Sequence, residues 1–275
     1  MAKIHPTAVV DPSAVLADDV EIGAGAVVES NVSLGAGTVL RPHSVVRRGT
    51  TLGKGNLVDS FAVLGGDPQD LGFDRKTDTY VRIGDDNTFR EGVTISRATK
   101  PGEATVIGNR TYWMANSHAA HDCVIGDDVV IVNAVLLAGH VVVGDRAILA
   151  GATMVHQFTW IGESVMTQGG SGTGMHVPPY SLLAGVNEIV GLNSIGLRRN
   201  PTLTNEDRKQ IKEAFKLTYR SSLSPALALA EMDKAADWGT AAGKFREFVR
   251  KVVTAEKPRN RGLCPRRRGD GGMEE

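Results

Sequence analysis

Counting in steps of six from Ile4 lands on Val10, Leu16, Ile22, Val28, Leu34, Leu40, Val46, Leu52, Val58 and Leu64, every one aliphatic. The pattern breaks across Gly66–Tyr80 and resumes one residue out of phase with Ile83, Phe89 and Ile95. A second break around Pro101 is followed, in that same phase, by Ile107, Trp113, Ala119, Ile125, Ile131, Leu137, Val143, Leu149, Val155 and Ile161. An ordinary β-sandwich gives a period of two with irregular turns, so it does not account for a repeat of six. A solenoid does. Each hexad is a short strand plus a corner, its aliphatic side chain turns inward, and three hexads close one triangular coil. Ten or so coils stacked at the ~4.8 Å strand spacing make a rod roughly 50 Å long. No single coil buries its core alone, so stability comes from stacking. Gly108, Gly126, Gly144 and Gly162 follow the aliphatic position at intervals of eighteen residues, and are expected to supply the backbone freedom for the bend. Periodicity alone leaves the hand of the coil open.

After Pro178–Pro179 the period decays, and from Pro201 the pattern turns helical. Thr204 with Asp207 predicts a capped helix start, and Ile211, Ala214, Phe215 and Thr218 share one face of the helix that follows. Pro225 predicts the opening of a second helix, and Ala241–Val253 a third. This divides the chain into a repeat domain over 1–190 with loops near 66–80 and 98–105, a helical domain over 191–255, and a tail over 256–275. The tail is rich in Arg, Gly and Pro and reads as disordered.

Composition narrows the function. Lys plus Arg equals Asp plus Glu at 31 each, so no global charge favours nucleic acid or an anionic membrane. Glycine, at 32 residues against 5 % aromatics, suits tight repeated turns. Two cysteines, Cys123 and Cys264, are too few for a disulfide framework, and no segment has signal-peptide or membrane-span length. A cytoplasmic location is expected.

The repeat arithmetic also places side chains in space. Hexads starting at Ala119, Leu137 and Val155 are eighteen residues apart and fall on one face of three consecutive coils. His121, Gly139 and Gln157 then stack, with His140 one step along, His156 one step back and His118 closing the preceding hexad. Four of the seven histidines converge on one patch that the exterior of a rod does not need. Imidazole titrates near neutrality, so His121 is a candidate general base toward a hydroxyl. Asp122 beside it could fix the tautomer, or be only a corner residue. Gly139 could present an unobstructed N–H to an oxyanion, or be only a packing glycine. On helical spacing, Lys209, Lys212, Lys216 and Arg220 form a basic stripe that either docks an acidic partner or is simply solvated.

At NSHAAHDC (Asn116–Cys123) the chain resembles the UDP-N-acetylglucosamine acyltransferase family of lipid A biosynthesis. IHPTAVV near the start, QDL (Gln69–Leu71), REGVTI (Arg90–Ile95), LAGH (Leu137–His140), VHQF (Val155–Phe158), HVPPY (His176–Tyr180) and GLNSIGLRR (Gly191–Arg199) carry the same resemblance, in the family's order, across residues 4 to 220. It implies a left-handed parallel β-helix followed by a C-terminal α-helical subdomain, assembled as a homotrimer with sites between subunits. It also implies transfer of a (3R)-hydroxyacyl group from acyl carrier protein to the glucosamine 3-hydroxyl of UDP-N-acetylglucosamine. The donor is the carrier's phosphopantetheine thioester, with no other cofactor and no metal.

By the same resemblance His121 falls on the general base, Asp122 on its partner and Gly139 on the oxyanion donor. His118, His140, His156 and Gln157 match substrate-pocket positions, and Asp70 the loop aspartate at the sugar. Asn193, Arg198 and Arg199 match nucleotide and phosphate contacts, and Gly169 the position that limits acyl-chain length. The chain departs from the family at Gly72, Ile195 and Asn200, all on the nucleotide side. Rival readings are an acetyl-CoA-dependent sugar transferase, an acyltransferase for a 3-amino sugar, and a γ-type carbonic anhydrase holding zinc on histidines.

Overall fold

The computed structural model describes residues 1–234 and 237–267. The hexads fold into short strands, mostly of two residues, that add up to three long sheets of eleven, nine and eight strands, in which each strand as far as Met154–Val155 pairs with the third one onward. Lys3 pairs with Glu21, Glu21 with Val39 and Val39 with Leu57. That register of eighteen residues makes the three sheets the sides of a parallel β-helix. The inward positions stack into one continuous core, with Val28, Leu34, Leu40, Val46, Leu52, Val58 and Leu64 all buried.

Corners carry most of the backbone cost. Arg110, Asn116, Asp122, Asp128, Ala134, His140, Arg146, Ala152, Phe158 and Ser164 have φ between 54° and 64°, a left-handed conformation that costs a non-glycine residue roughly 1–2 kcal/mol. The repeated hydrogen bonding of stacked coils holds them there. Gly108, Gly126, Gly144 and Gly162 do not supply this bend. The left-handed residue comes two positions later, at Arg110, Asp128, Arg146 and Ser164. The glycines serve close approach instead: a Cβ on Gly108 would come 2.8 Å from the Gly126 carbonyl carbon, and one on Gly144 would come 2.6 Å from the Glu163 nitrogen.

Two insertions interrupt the rod. Leu57 pairs with Thr88, a separation of 31 residues, because the segment between strands Val63–Gly66 and Tyr80–Ile83 loops outward. Thr88 pairs with Tyr112, 24 residues on, because a turn lies between Ser96 and Ala104.

Among the described residues the only antiparallel pair, Ser181–Ala184 with Glu188–Leu192, closes the rod and leads into four described helices: α1 (Ser194–Arg199), α2 (Asn205–Tyr219), α3 (Pro225–Lys234) and α4 (Thr240–Val253). Thr204 and Asp207 form the reciprocal cap of α2, and Ile211, Ala214, Phe215 and Thr218 are its buried face. Met232 of α3 and Phe245 of α4 are buried in the same core.

The tail expected to be disordered is docked as far as Arg267. His176 bridges to Leu263 and Ile189 to Arg266, while the Tyr219 hydroxyl donates to the Cys264 carbonyl at 3.0 Å. Composition misled here, because Leu263 and Cys264 bury enough to order a segment otherwise rich in charge. The rest of that tail, 268–275, lies outside the described residues. No described helix is long and apolar enough to cross a membrane.

Candidate active site

Strands His118–Ala119, Leu136–Leu137 and Met154–Val155 are consecutive neighbours in the nine-stranded sheet, with Ala119 opposite Leu137 and Leu137 opposite Val155. The corner that follows each strand carries the histidines. Asp122, His140 and Phe158 occupy its left-handed position in successive coils, so their side chains leave the rod at one place. His121 Nδ1 lies 2.7 Å from Asp122 Oδ2. A carboxylate can only accept, so Nδ1 carries the proton and the lone pair sits on Nε2. That nitrogen faces Gly139, where an added Cβ would come 2.7 Å from it and 2.5 Å from Cε1. Glycine at 139 is therefore what admits the imidazole. Among the described residues the Gly139 N–H has no hydrogen-bond partner, which leaves it available to an acceptor from outside.

Asp122 is only 6 % exposed. Burial alone would raise its carboxyl, but hydrogen bonds from His121 and from the Thr99 hydroxyl and N–H, with His140 nearby, outweigh it and hold the group below the ordinary carboxylate range. Thr99 donates from Oγ1 at 2.7 Å and from its N–H at 3.1 Å. His140 Nε2 stands 3.5 Å from the same carboxylate, edge-on to His121 and stacked on Phe158 at 4.5 Å. Burial lowers His140, against the pull of Asp122, and burial also lowers His118, whose Nδ1 is 2.7 Å from Thr94 Oγ1. His121, Asp122 and His140 each offer a donor atom within 4.8 Å of the others.

The remaining expected residues are spread more widely. His156 and Gln157 sit exposed on the next coil of the same corner. Gly169 lies at the far corner of the same sheet, beside Gly151, and the outward side chains of Leu136 and Met154 lie exposed on that sheet. Asp70 is exposed in the first insertion, where its Oδ1 accepts the Gly72 N–H. Asn193 is committed to structure: its carboxamide accepts from Gly196 N and donates to Ser164 O, at 2.9 and 3.1 Å. Arg198 and Arg199 are exposed in the last turn of α1 and form no ion pair among the described residues.

Three contributors escaped the sequence reading. Thr99 arrives from the second insertion and Phe158 from a corner that the repeat could have flagged. Arg259 comes from the docked tail and donates to the His140 carbonyl at 3.1 Å, its guanidinium 5.8 Å from the Phe158 ring.

The chain is similar to known proteins over most of its length. A family profile described as UDP N-acetylglucosamine O-acyltransferase, domain 2, matches residues 176–264, and bacterial transferase hexapeptide repeats match 13–48 and 104–139. The acyl-[acyl-carrier-protein]–UDP-N-acetylglucosamine O-acyltransferase of Herminiimonas arsenicoxydans is 43 % identical over 90 % of this chain and 97 % of its own length. The one from Anaeromyxobacter sp. strain Fw109-5 is 45 % identical over 84 % of this chain and 90 % of its own. The crystal structure of UDP-N-acetylglucosamine O-acyltransferase from Moraxella catarrhalis aligns with a TM-score of 0.86 at 38 % identity, covering 90 % of this chain and 96 % of that one.

Proposed function

This chain belongs to the UDP-N-acetylglucosamine O-acyltransferase family, and we propose that it moves a (3R)-hydroxyacyl group from acyl carrier protein to the 3-hydroxyl of UDP-N-acetylglucosamine, the first step of lipid A biosynthesis. The observation that carries the mechanism is the His121–Asp122 contact of 2.7 Å, which leaves Nε2 unprotonated and open toward Gly139. The acceptor hydroxyl gives its proton to that nitrogen as its oxygen bonds to the thioester carbon. Negative charge moves to the carbonyl oxygen, where the Gly139 N–H donates to it. The carbon–sulfur bond then breaks, and the imidazolium returns the proton to the departing phosphopantetheine sulfur. Asp122 stabilises the imidazolium in between. No metal enters these steps.

His118, His140, His156 and Gln157 line the pocket in this reading, Asp70 reaches the sugar, and Arg198 and Arg199 take the phosphates. Asn193 acts by bracing α1 beneath them. The acyl chain runs from the histidine corner across Leu136 and Met154 toward Gly169. A single convex corner makes a poor pocket, and exposed apolar side chains such as Val124, Leu136 and Met154 flank it, so neighbouring copies in a trimer supply its other wall. Lys209, Lys212, Lys216 and Arg220 rim a groove floored by Leu182 and Val190–Leu192, which suits an acidic carrier protein. Both cysteines are free and buried, in keeping with a reducing cytoplasm.

The test is mass spectrometry of the product formed from UDP-N-acetylglucosamine and a mixture of (3R)-hydroxyacyl carrier proteins. The reading predicts a base-labile O-acyl ester of the nucleotide sugar. Transfer from acetyl-CoA alone, or an alkali-stable amide, would overturn it.

A further inference from the structure

Arg97 closes the strand Thr94–Ser96 and is 1 % exposed, a degree of burial that an arginine tolerates only when its charge and its donors are met. All of them are met by the first insertion. Nε and Nη2 donate to Asp67 Oδ1 at 3.1 and 2.9 Å. Nη1 donates to the Thr77 carbonyl at 2.7 Å and Thr79 Oγ1 at 3.1 Å, and Nη2 donates to the Arg75 carbonyl at 3.1 Å. These five bonds match the five N–H groups of a guanidinium. The Phe73 ring covers the group at 4.9 Å, and the Phe73 N–H closes a turn onto the Asp70 carbonyl at 3.1 Å.

We propose that Arg97 is the positioning residue of the acceptor loop, the buried pin around which residues 67–79 wrap so that Asp70 is presented in one conformation. The loop has no strand or helix of its own between Gly66 and Tyr80 and contributes little aliphatic surface, so this pin replaces the core that it lacks. Arg97 stands two residues from Thr99, which holds Asp122. One short segment therefore sets both the acceptor loop and the catalytic carboxylate. The inference rests on the reading that Asp70 meets the nucleotide sugar.

The test measures KM for each substrate in Arg97→Lys and Phe73→Ala, using the full-length enzyme. Lysine keeps the charge but not the planar fork, and Phe73→Ala loosens the loop without touching the rod core. Both variants are expected to raise KM for UDP-N-acetylglucosamine about tenfold or more, while KM for the acyl carrier protein stays within about twofold. Phe73→Ala, whose core is untouched, keeps the measurement decisive if Arg97→Lys fails to fold. Unchanged acceptor KM in folded enzyme, or equal rises for both substrates, would overturn the role. Absence of transfer by the wild-type enzyme would instead overturn the function on which it rests.

Discussion

At the histidine corner, position is inherited from a ladder: Ala119, Leu137 and Val155 are locked opposite one another, and whatever follows them must emerge at the same edge. In the loop that carries Asp70 no ladder operates, and thirteen or so residues are held by two guanidinium groups, Arg97 from within and Arg48 from the rod, with two aspartate turns and an aromatic ring. In the proposed function, chemistry that tolerates little displacement sits on the first kind of structure, and the part that admits and releases a large polar substrate sits on the second. Substitutions at the corner should therefore strike kcat, and substitutions in the loop should strike acceptor KM.

Gly139→Ala is the sharpest way to break the corner without removing a functional group. Its Cβ would overlap the His121 ring, so kcat should fall about 10²–10³-fold, the size of losing an oxyanion donor, with melting temperature nearly unchanged. Asp122→Asn should follow, since a carboxamide neither stabilises the imidazolium nor enforces the Nδ1 tautomer. A loss of about 10²-fold in kcat is expected from steady-state rates. Asp70→Ala sharpens the contrast from the other side: acceptor KM should rise about tenfold, with kcat changing less. An equal fall in kcat would erase the distinction between the two regions.

The smallest effect is on stability. Burial holds His118, His140 and His176 below the ordinary 6.5, so the unfolded chain binds protons more readily than the folded one as pH drops past that value. Stability is full above it and declines as pH falls toward the depressed native values. Asp122, held low, keeps its contribution until pH falls below the ordinary 3.8. Thermal melts should show a lower transition at pH 5.5 than at pH 7.5, and equal transitions would contradict these burial assignments.

The same divide decides what was legible in the sequence. His121, Asp122, Gly139 and His140 could be placed from multiples of eighteen because the rod converts sequence distance into spatial distance. The spacing of Gly108, Gly126, Gly144 and Gly162 is plain in the sequence but their reason is not: sequence registers that a side chain is missing, and only the stacked coil reveals the clash it avoids. Arg97 and Thr99 lie in and beside insertions that carry no period, so nothing in their spacing reported that one pins a loop and the other holds a carboxylate. The tail looked disordered because its charge outweighs its apolar content, yet Leu263 and Cys264 are enough to dock it.

The claim on which all of this depends is that coil stacking makes His121 the base. The direct measurement is kcat for hydroxyacyl transfer by His121→Ala, alongside a melting curve on the same preparation. The account predicts a loss of at least about 10²-fold with the cooperative transition intact, because His121 projects from the rod and contributes nothing to its core. A folded His121→Ala enzyme retaining more than about a tenth of wild-type turnover would contradict it.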